Sequence, residues 1–301
     1  MALPADHRSF CREAAERYLA ERNATSDAED WKFARWEARR MIVDLLRESS
    51  GLADVQGALV RSGRHMTVLR HLLAPPISQD QFRLLAKSWV KATEKSGRPI
   101  AAASADQISK VFEERRDKRL TPWLATQRPP RTAELLATLG AVAPLIANQR
   151  IATARRNRLA VRQEQDAISL LESRGWKRQQ SKLITKGGAL EQRQFWHKAR
   201  FKSGKKENQE IDISCGLGET YVVAVECKVT NDETNSIKRM NDILKKATAW
   251  RSQWGEFVIP AAILEGNIKF SDVDRLLDAQ IKVFWSHRLD AFADWLEAKL
   301  K

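Results

Sequence analysis

Through the first part of the chain, apolar residues recur at three- and four-residue intervals, the spacing of helices buried along one face. Residues 26 to about 49 carry Trp31, Phe33, Trp36, Met41, Ile42 and Leu45 on such a side, and Gly51 ends the run. Short helices are expected over 52–60 and 66–73, the second stopped by Pro75-Pro76. Ser78 to Asp80 open another, with Phe82, Leu84, Leu85, Trp89 and Val90 spaced for one buried face. Ser104 and Asp106 are placed to cap a helix through Phe112 to about Arg119, and the proline-containing stretch 120–132 reads as a connector. Joints at Gly51, Gly63 and Pro75-Pro76 leave room for a helix-turn-helix within 52–90. A long helical pattern then runs from Ala133 to about Arg174, with a break expected near Gly140 or Pro144.

Beyond Gly175 the period changes from helical to two. A first strand is expected over 182–185, ending at Gly187-Gly188, and Phe195-Trp196 begin a second extended run. The runs 210–214 and 221–229 flank a turn containing Gly216 and Gly218, a hairpin signal. Alternation puts Val222, Ala224, Glu226 and Lys228 on one face of the second strand, and Val223, Val225 and Cys227 on the other. In the first strand it groups Glu210, Asp212 and Ser214 against Ile211, Ile213 and Cys215. Thr230-Asn231-Asp232-Glu233 matches a capping box for a helix whose buried stripe is Ile237, Met240, Ile243, Leu244, Ala247 and Trp250. Lys238, Arg239, Lys245 and Lys246 fall largely outside that stripe. A strand over 257–264 follows, with Pro260 arguing for an edge or bulge, then a helix over 271–279, a strand over 281–285 and a helix over 290–299. The alternation implies an α/β (α+β) fold: a helical N-terminal region, 1–132, before a core of residues 133–301 with a mixed sheet flanked by helices.

The charge changes the picture. A formal +14 with pI near 9.9 points to a polyanionic partner, nucleic acid before an anionic membrane surface. No run reads as a membrane span and the N-terminus lacks a signal-peptide core. Three scattered cysteines without CxxC spacing favour a reducing, cytoplasmic setting. The basic residues cluster: Arg150, Arg155, Arg156, Arg158 and Arg162 lie on the long helix, and His197, Lys198, Arg200, Lys202, Lys205 and Lys206 run into the hairpin. Arg155, Arg156, Arg158, Arg162, Lys202, Lys205, Lys206 and Lys238 are the candidate phosphate contacts. Arg64-His65 and Arg70-His71 read as basic surface residues rather than a metal site, since the two histidines do not share a helix face.

A carboxylate inside VVAVECKV is costly to bury without a metal, a proton or a cationic partner. Asp212 on one strand, then Glu226-Cys227-Lys228 at the end of the next with a helix directly after, resembles the PD-(D/E)XK nuclease superfamily. Ile211 stands where that family often has proline. VLRHLLAPPISQDQF, with the Arg-rich helix leading into RQEQD, further resembles the XamI-type group of type II restriction endonucleases.

The resemblance implies a Mg²⁺-dependent endonuclease acting on double-stranded DNA as a homodimer, with Asp212 and Glu226 as metal ligands. It implies that the Cys227 backbone carbonyl joins them and that Lys228 orients or helps deprotonate the attacking water. Glu164, within an apolar stripe of Ala160, Ala167, Ile168 and Leu171, is placed to add an acid from the preceding helix, with Gln163 supporting it. Glu210 rivals Asp212, and His197 reads as a phosphate contact or a structural residue rather than an essential base. The competing readings are a modification-dependent or repair nuclease of the same fold and a DNA-binding module with a silent core.

Overall fold

The computed structural model describes residues 6–21, 24–185, 189–202, 208–218, 221–231 and 233–300, with the backbone alone at 24–26 and 233–235. The chain forms two units, Ala24–Ala154 and, separately, the N-terminal helix with everything from Arg155 onward. That division falls within a long helix rather than at 132/133, and it assigns the chain's first helix to the C-terminal unit.

The first helix, α1 (His7–Ala20), belongs to that unit because Cys11 and Ala14 are buried in its core. The helical unit contains α2 (Ala24–Glu48), α3 (Val55–Arg61), α4 (Met66–His71), α5 (Gln79–Leu85), α6 (Ala92–Ser96), α7 (Ala102–Arg115) and the start of α8 (Thr132–Ser173). Its core gathers Ile42, Leu45, Leu59, Leu69, Phe82, Trp89, Phe112 and Trp123. Helix α5 is opened by the expected Ser78, in a full capping box with Gln81, but stops at Leu85. Leu84 and Val90 therefore face solvent instead of joining Phe82 and Trp89 inside. Neither Ser104 nor Asp106 caps α7, which starts earlier, at Ala102; Ser104 bonds the Ser88 carbonyl and Asp106 pairs with Lys110. His65, Arg70 and His71 are buried, not surface residues: Arg70 forks onto Glu94, at 2.9 Å from Nη2 to Oε1, which offsets the cost of its desolvation.

Helix α8 runs unbroken through Gly140 and Pro144, because Val142, Ala143, Ile146 and Ala147 around the proline are fully buried. Among the described residues it is the one helix long and apolar enough to cross a bilayer by length and composition, with a window of mean hydropathy 1.3. The sequence reading that no run reaches that length is corrected; Val142, Ala143 and Ile146 belong to the helical unit's core.

In the second unit seven strands among the described residues form one sheet. They are β1 (Lys177–Arg178), β2 (Leu183–Ile184), β3 (Gln194–Phe201), β4 (Gln209–Gly216), β5 (Val222–Thr230), β6 (Val258–Gly266) and β7 (Lys282–Trp285). The order is β1-β3-β4-β5-β6-β7, with β2 also against β3. The pairs β3–β4 and β4–β5 are antiparallel and the rest parallel. Helices α9 (Glu233–Trp254), α10 (Phe270–Asp278) and α11 (Leu289–Ala298) complete the unit. On one face Ala167, Ile168 and Leu171 of α8 and Phe292 and Leu296 of α11 pack on Phe195, Ile213, Val223, Val225 and Ile263. On the other, Met240, Ile243 and Ala247 of α9 join Val273 and Leu276 of α10 against Ala262 and Leu264.

Pro260 lies inside the sheet's span, yet β7 pairs β6 only from Ala261 onward, so the missing N–H falls where β6 has a neighbour on one side alone. Ile237 is 43% exposed and leaves the expected buried stripe of α9. The proposed capping box at 230–233 and the Gly187-Gly188 break lie outside the described residues, wholly or in part. Thr230 itself donates to the Glu265 and Asn267 carbonyls.

Candidate active site

Three strands and two helices of the second unit bring six charged side chains together. Strand β5 alternates as its sequence implies: Val222 and Ala224 pack with Trp250 of α9, while Val223, Val225 and Cys227 pack toward α8 and α11. Strand β4 does not. Ile211 joins the α9-side cluster whereas Ile213 and Cys215 join the opposite one, so regular alternation fails at Asp212. The ladder between β3 and β4 breaks at the same level: His197 pairs Ile213 and Ala199 pairs Ile211, while Lys198 and Asp212 between them are unpaired. Lys198 has φ +56°, a left-handed backbone that a lysine adopts at some cost.

Asp212, 5% exposed, accepts the Cys227 backbone N–H on Oδ2 at 2.8 Å and the Lys198 ammonium on Oδ1 at 2.6 Å. Lys228 Nζ lies 2.6 Å from Glu226 Oε2 and 3.5 Å from Asp212 Oδ2. Glu226 is fully buried, and its other oxygen accepts Lys246 of α9 at 2.7 Å. Glu164, on α8, receives Lys198 on Oε1 at 2.7 Å and His197 Nε2 on Oε2 at 2.8 Å. The other nitrogen of that imidazole, Nδ1, lies 3.2 Å from Arg178 Nη2. Three carboxylates are thus matched by three ammonium groups.

Burial raises the pKa of Glu226, and the charge of Asp212 adds to it, against the pull of Lys228 and Lys246. For Asp212 burial pushes the same way, but Lys228, Lys198 and the Cys227 N–H together hold the carboxyl below its ordinary range. Burial opposes the charge on Lys228, yet Glu226 and Asp212 outweigh it and raise the pKa, so the group is an ammonium at neutral pH. The Cys227 thiol, buried in the core, is pushed well above its usual value and plays no nucleophilic part; the residue meets the site through its main chain.

The structure brings Asp212, Glu226, Lys228 and Glu164 into one cluster and leaves Glu210 exposed, out of it. Two members were missed by the sequence reading, Lys198 and Lys246. Lys246 lies three residues after Ile243 and four before Trp250, both buried, so helical spacing does place it beside the stripe of α9. Lys198 has no such signal, because only the β3–β4 register sets it opposite Asp212. Among the candidate phosphate contacts, Arg156, Arg158, Lys202 and Lys238 are exposed and Arg155 is half-buried. Arg162 is engaged inside the unit, bridging Glu21 at 2.9 Å and Glu265 at 2.6 Å. Lys205 and Lys206 lie outside the described residues. Gln163 supports neighbouring structure by donating to the Ile263 carbonyl and the Ser286 hydroxyl. No group of three or more His, Cys, Asp or Glu side chains is arranged to hold a metal among the described residues, since ammonium groups stand between the acids.

A family model described as XamI restriction endonuclease matches residues 50–285 of the chain. The chain belongs to that family. Type II restriction enzyme XamI of Xanthomonas campestris pv. amaranthicola is 33% identical over 204 residues, 65% of this chain and 70% of that enzyme. Protein VC1899 from Vibrio cholerae shares 10% identity and a TM-score of 0.31 over 90% of this chain and 57% of its own length, which adds nothing to the fold described above. As a member of the XamI family the chain is a site-specific deoxyribonuclease, and its partner is DNA.

Proposed function

We propose that this XamI-family nuclease is Mg²⁺-dependent and of PD-(D/E)XK type, cutting duplex DNA at the cluster around Asp212, Glu226 and Lys228. The observation that carries the reading is the convergence itself. Asp212 comes from β4 and Glu226 from β5, and one ammonium, Lys228, reaches both at 3.5 and 2.6 Å. With the ammonium groups between them withdrawn, Asp212, Glu226 and Glu164, with the Cys227 carbonyl, would offer the oxygen donors that a hard divalent cation takes. When bound, Mg²⁺ polarises the phosphate and lowers the pKa of a coordinated water.

The chain's own residues do the rest. Asp212 is aimed by the Cys227 N–H, and Glu226 is held in a fully buried position by two lysines, so neither carboxylate must reorganise before it acts. Lys228 is an ammonium held between the acids, which suits it to orient water and offset phosphate charge rather than to accept a proton. Exposed Arg156, Arg158, Lys202 and Lys238 supply positive charge for the DNA backbone. A homodimer reading a short palindrome, one strand cut per protomer, is the assembly this chemistry suits.

Digestion of an unmodified, sequenced plasmid by wild type and Lys228→Ala, each with Mg²⁺ or EDTA, tests the reading, with the ends mapped. Discrete limit fragments from wild type in Mg²⁺ alone are expected. Equal cleavage by the variant, or cleavage in EDTA, overturns it.

A further inference from the structure

Lys198 takes no part in the chemistry proposed above, yet it lies at the centre of the acids. Its ammonium contacts Asp212 Oδ1 at 2.6 Å and Glu164 Oε1 at 2.7 Å. The remaining oxygens of both groups are already committed, Asp212 Oδ2 to the Cys227 N–H and Glu164 Oε2 to His197. The two oxygens left to take another ligand are therefore those that Lys198 holds. Between them a single small cation has a ready position, and the lysine is filling it.

Lys198 is also built to leave. Its side chain is 41% exposed, against 14% for Lys228, so an outward swing meets water rather than core. The residue is missing from the β3–β4 register and its backbone is left-handed, so it sits at an irregular position of the strand. An ammonium and a divalent ion cannot both sit on the same pair of oxygens, because at contact distance their repulsion cancels what either gains.

We propose that Lys198 is a displaceable internal counter-ion: it neutralises Asp212 and Glu164 in the metal-free enzyme and is expelled when a divalent cation takes those oxygens. The inference rests on the assignment of Asp212 and Glu164 to the metal site. It makes Lys198 a positioning residue that keeps two close acids from repelling each other before metal arrives, at the expense of metal affinity.

Mn²⁺ binding to the DNA-free protein, followed by the loss of the free-ion electron paramagnetic resonance signal, tests this without any cleavage readout. Lys198→Met is expected to bind Mn²⁺ roughly tenfold more tightly than wild type, equivalent to about 1.4 kcal/mol. Lys198→Arg, which keeps the charge, is expected to bind no more tightly than wild type. Arg178→Ala removes a nearby positive charge that touches neither acid, and is expected to change binding less than about twofold, the small effect of an exposed charge. A second readout guards against a folding defect: Lys198→Met should melt lower than wild type in EDTA and gain more from added Mn²⁺.

Unchanged or weaker binding by Lys198→Met, with wild type binding normally, overturns the displacement and leaves the metal site standing. A gain in Arg178→Ala equal to that in Lys198→Met also overturns it, since general charge then explains the effect. Absence of Mn²⁺ binding in wild type and in Lys198→Met overturns the metal site itself, and this inference with it.

Discussion

At the residue scale the decisive quantities are the environments of a few titratable groups. Lys228 is in contact with a fully buried carboxylate, so its loss leaves Glu226 with Lys246 alone and, on the proposed function, removes an ammonium that orients water. Single-turnover cleavage of an end-labelled duplex by Lys228→Ala is expected to fall roughly 10²–10⁴-fold, the size of a positioned proton-handling or charge-stabilising group. His71 gives an independent test in the helical unit. Burial holds its pKa below 6.5, with Arg70 adding to that and the Thr67 carbonyl, Glu94 and Gln149 opposing it. The native ring is thus neutral where the unfolded chain takes up a proton, so stability is full above pH 6.5 and is lost as pH falls toward the folded value. His7 and His287 are shifted the same way. Melting temperature should fall as the pH is lowered below 6.5, and His71→Gln should flatten part of that slope.

At the element scale the site depends on how two strands end and one irregular pair of positions is held. Gly266 closes β6 opposite Thr230 with φ +95°, and a Cβ there would fall onto the Thr230 carbonyl. Gly266→Ala should therefore destabilise by about 2 kcal/mol or more in urea denaturation, because backbone cannot yield as a flexible side chain would. Most elements were legible from periodicity. Helix α9, strand β5 and the strand–helix alternation beyond it appear where the apolar spacing put them. The failures share a cause: long-range packing overruled local pattern. Pro144 did not break α8 because buried neighbours hold the helix on both sides of it. Helix α1 went unread because its few apolar residues are scattered among charges and gain a face only against α10 and β6. Strand β4 reads as strictly alternating, yet Ile211 and Ile213 pack into different clusters.

At the scale of the whole molecule, the charge of +14 governs how the enzyme meets its substrate. DNA affinity in EDTA should fall steeply with salt, by a factor on the order of 10³ between 50 and 200 mM for a protein making about six phosphate contacts. Arg156→Ala, at an exposed position of α8, should lower the slope of log affinity against log salt by about 1 and weaken all sequences alike. Light scattering behind size exclusion checks the proposed assembly: a mass of twice 34.3 kDa supports the homodimer, and 34.3 kDa alone opposes it.

Asp212 was marked in the sequence by the family resemblance, and alternation alone did not separate it from Glu210. Glu226 and Lys228 could be singled out because alternation and an improbable acid in an apolar strand are local properties, readable one residue after another. Glu164 was legible for the same reason, as a charge within a helical apolar stripe. The partners of these residues were not: Lys198 faces Asp212 only through strand register, and Lys246 reaches Glu226 only because α9 packs on β5. The chain order fixes which groups are available and, where alternation is regular as in β5, on which face the element offers them. Which cation meets which acid is decided in three dimensions, where burial makes every unpaired charge costly and packing selects its partner.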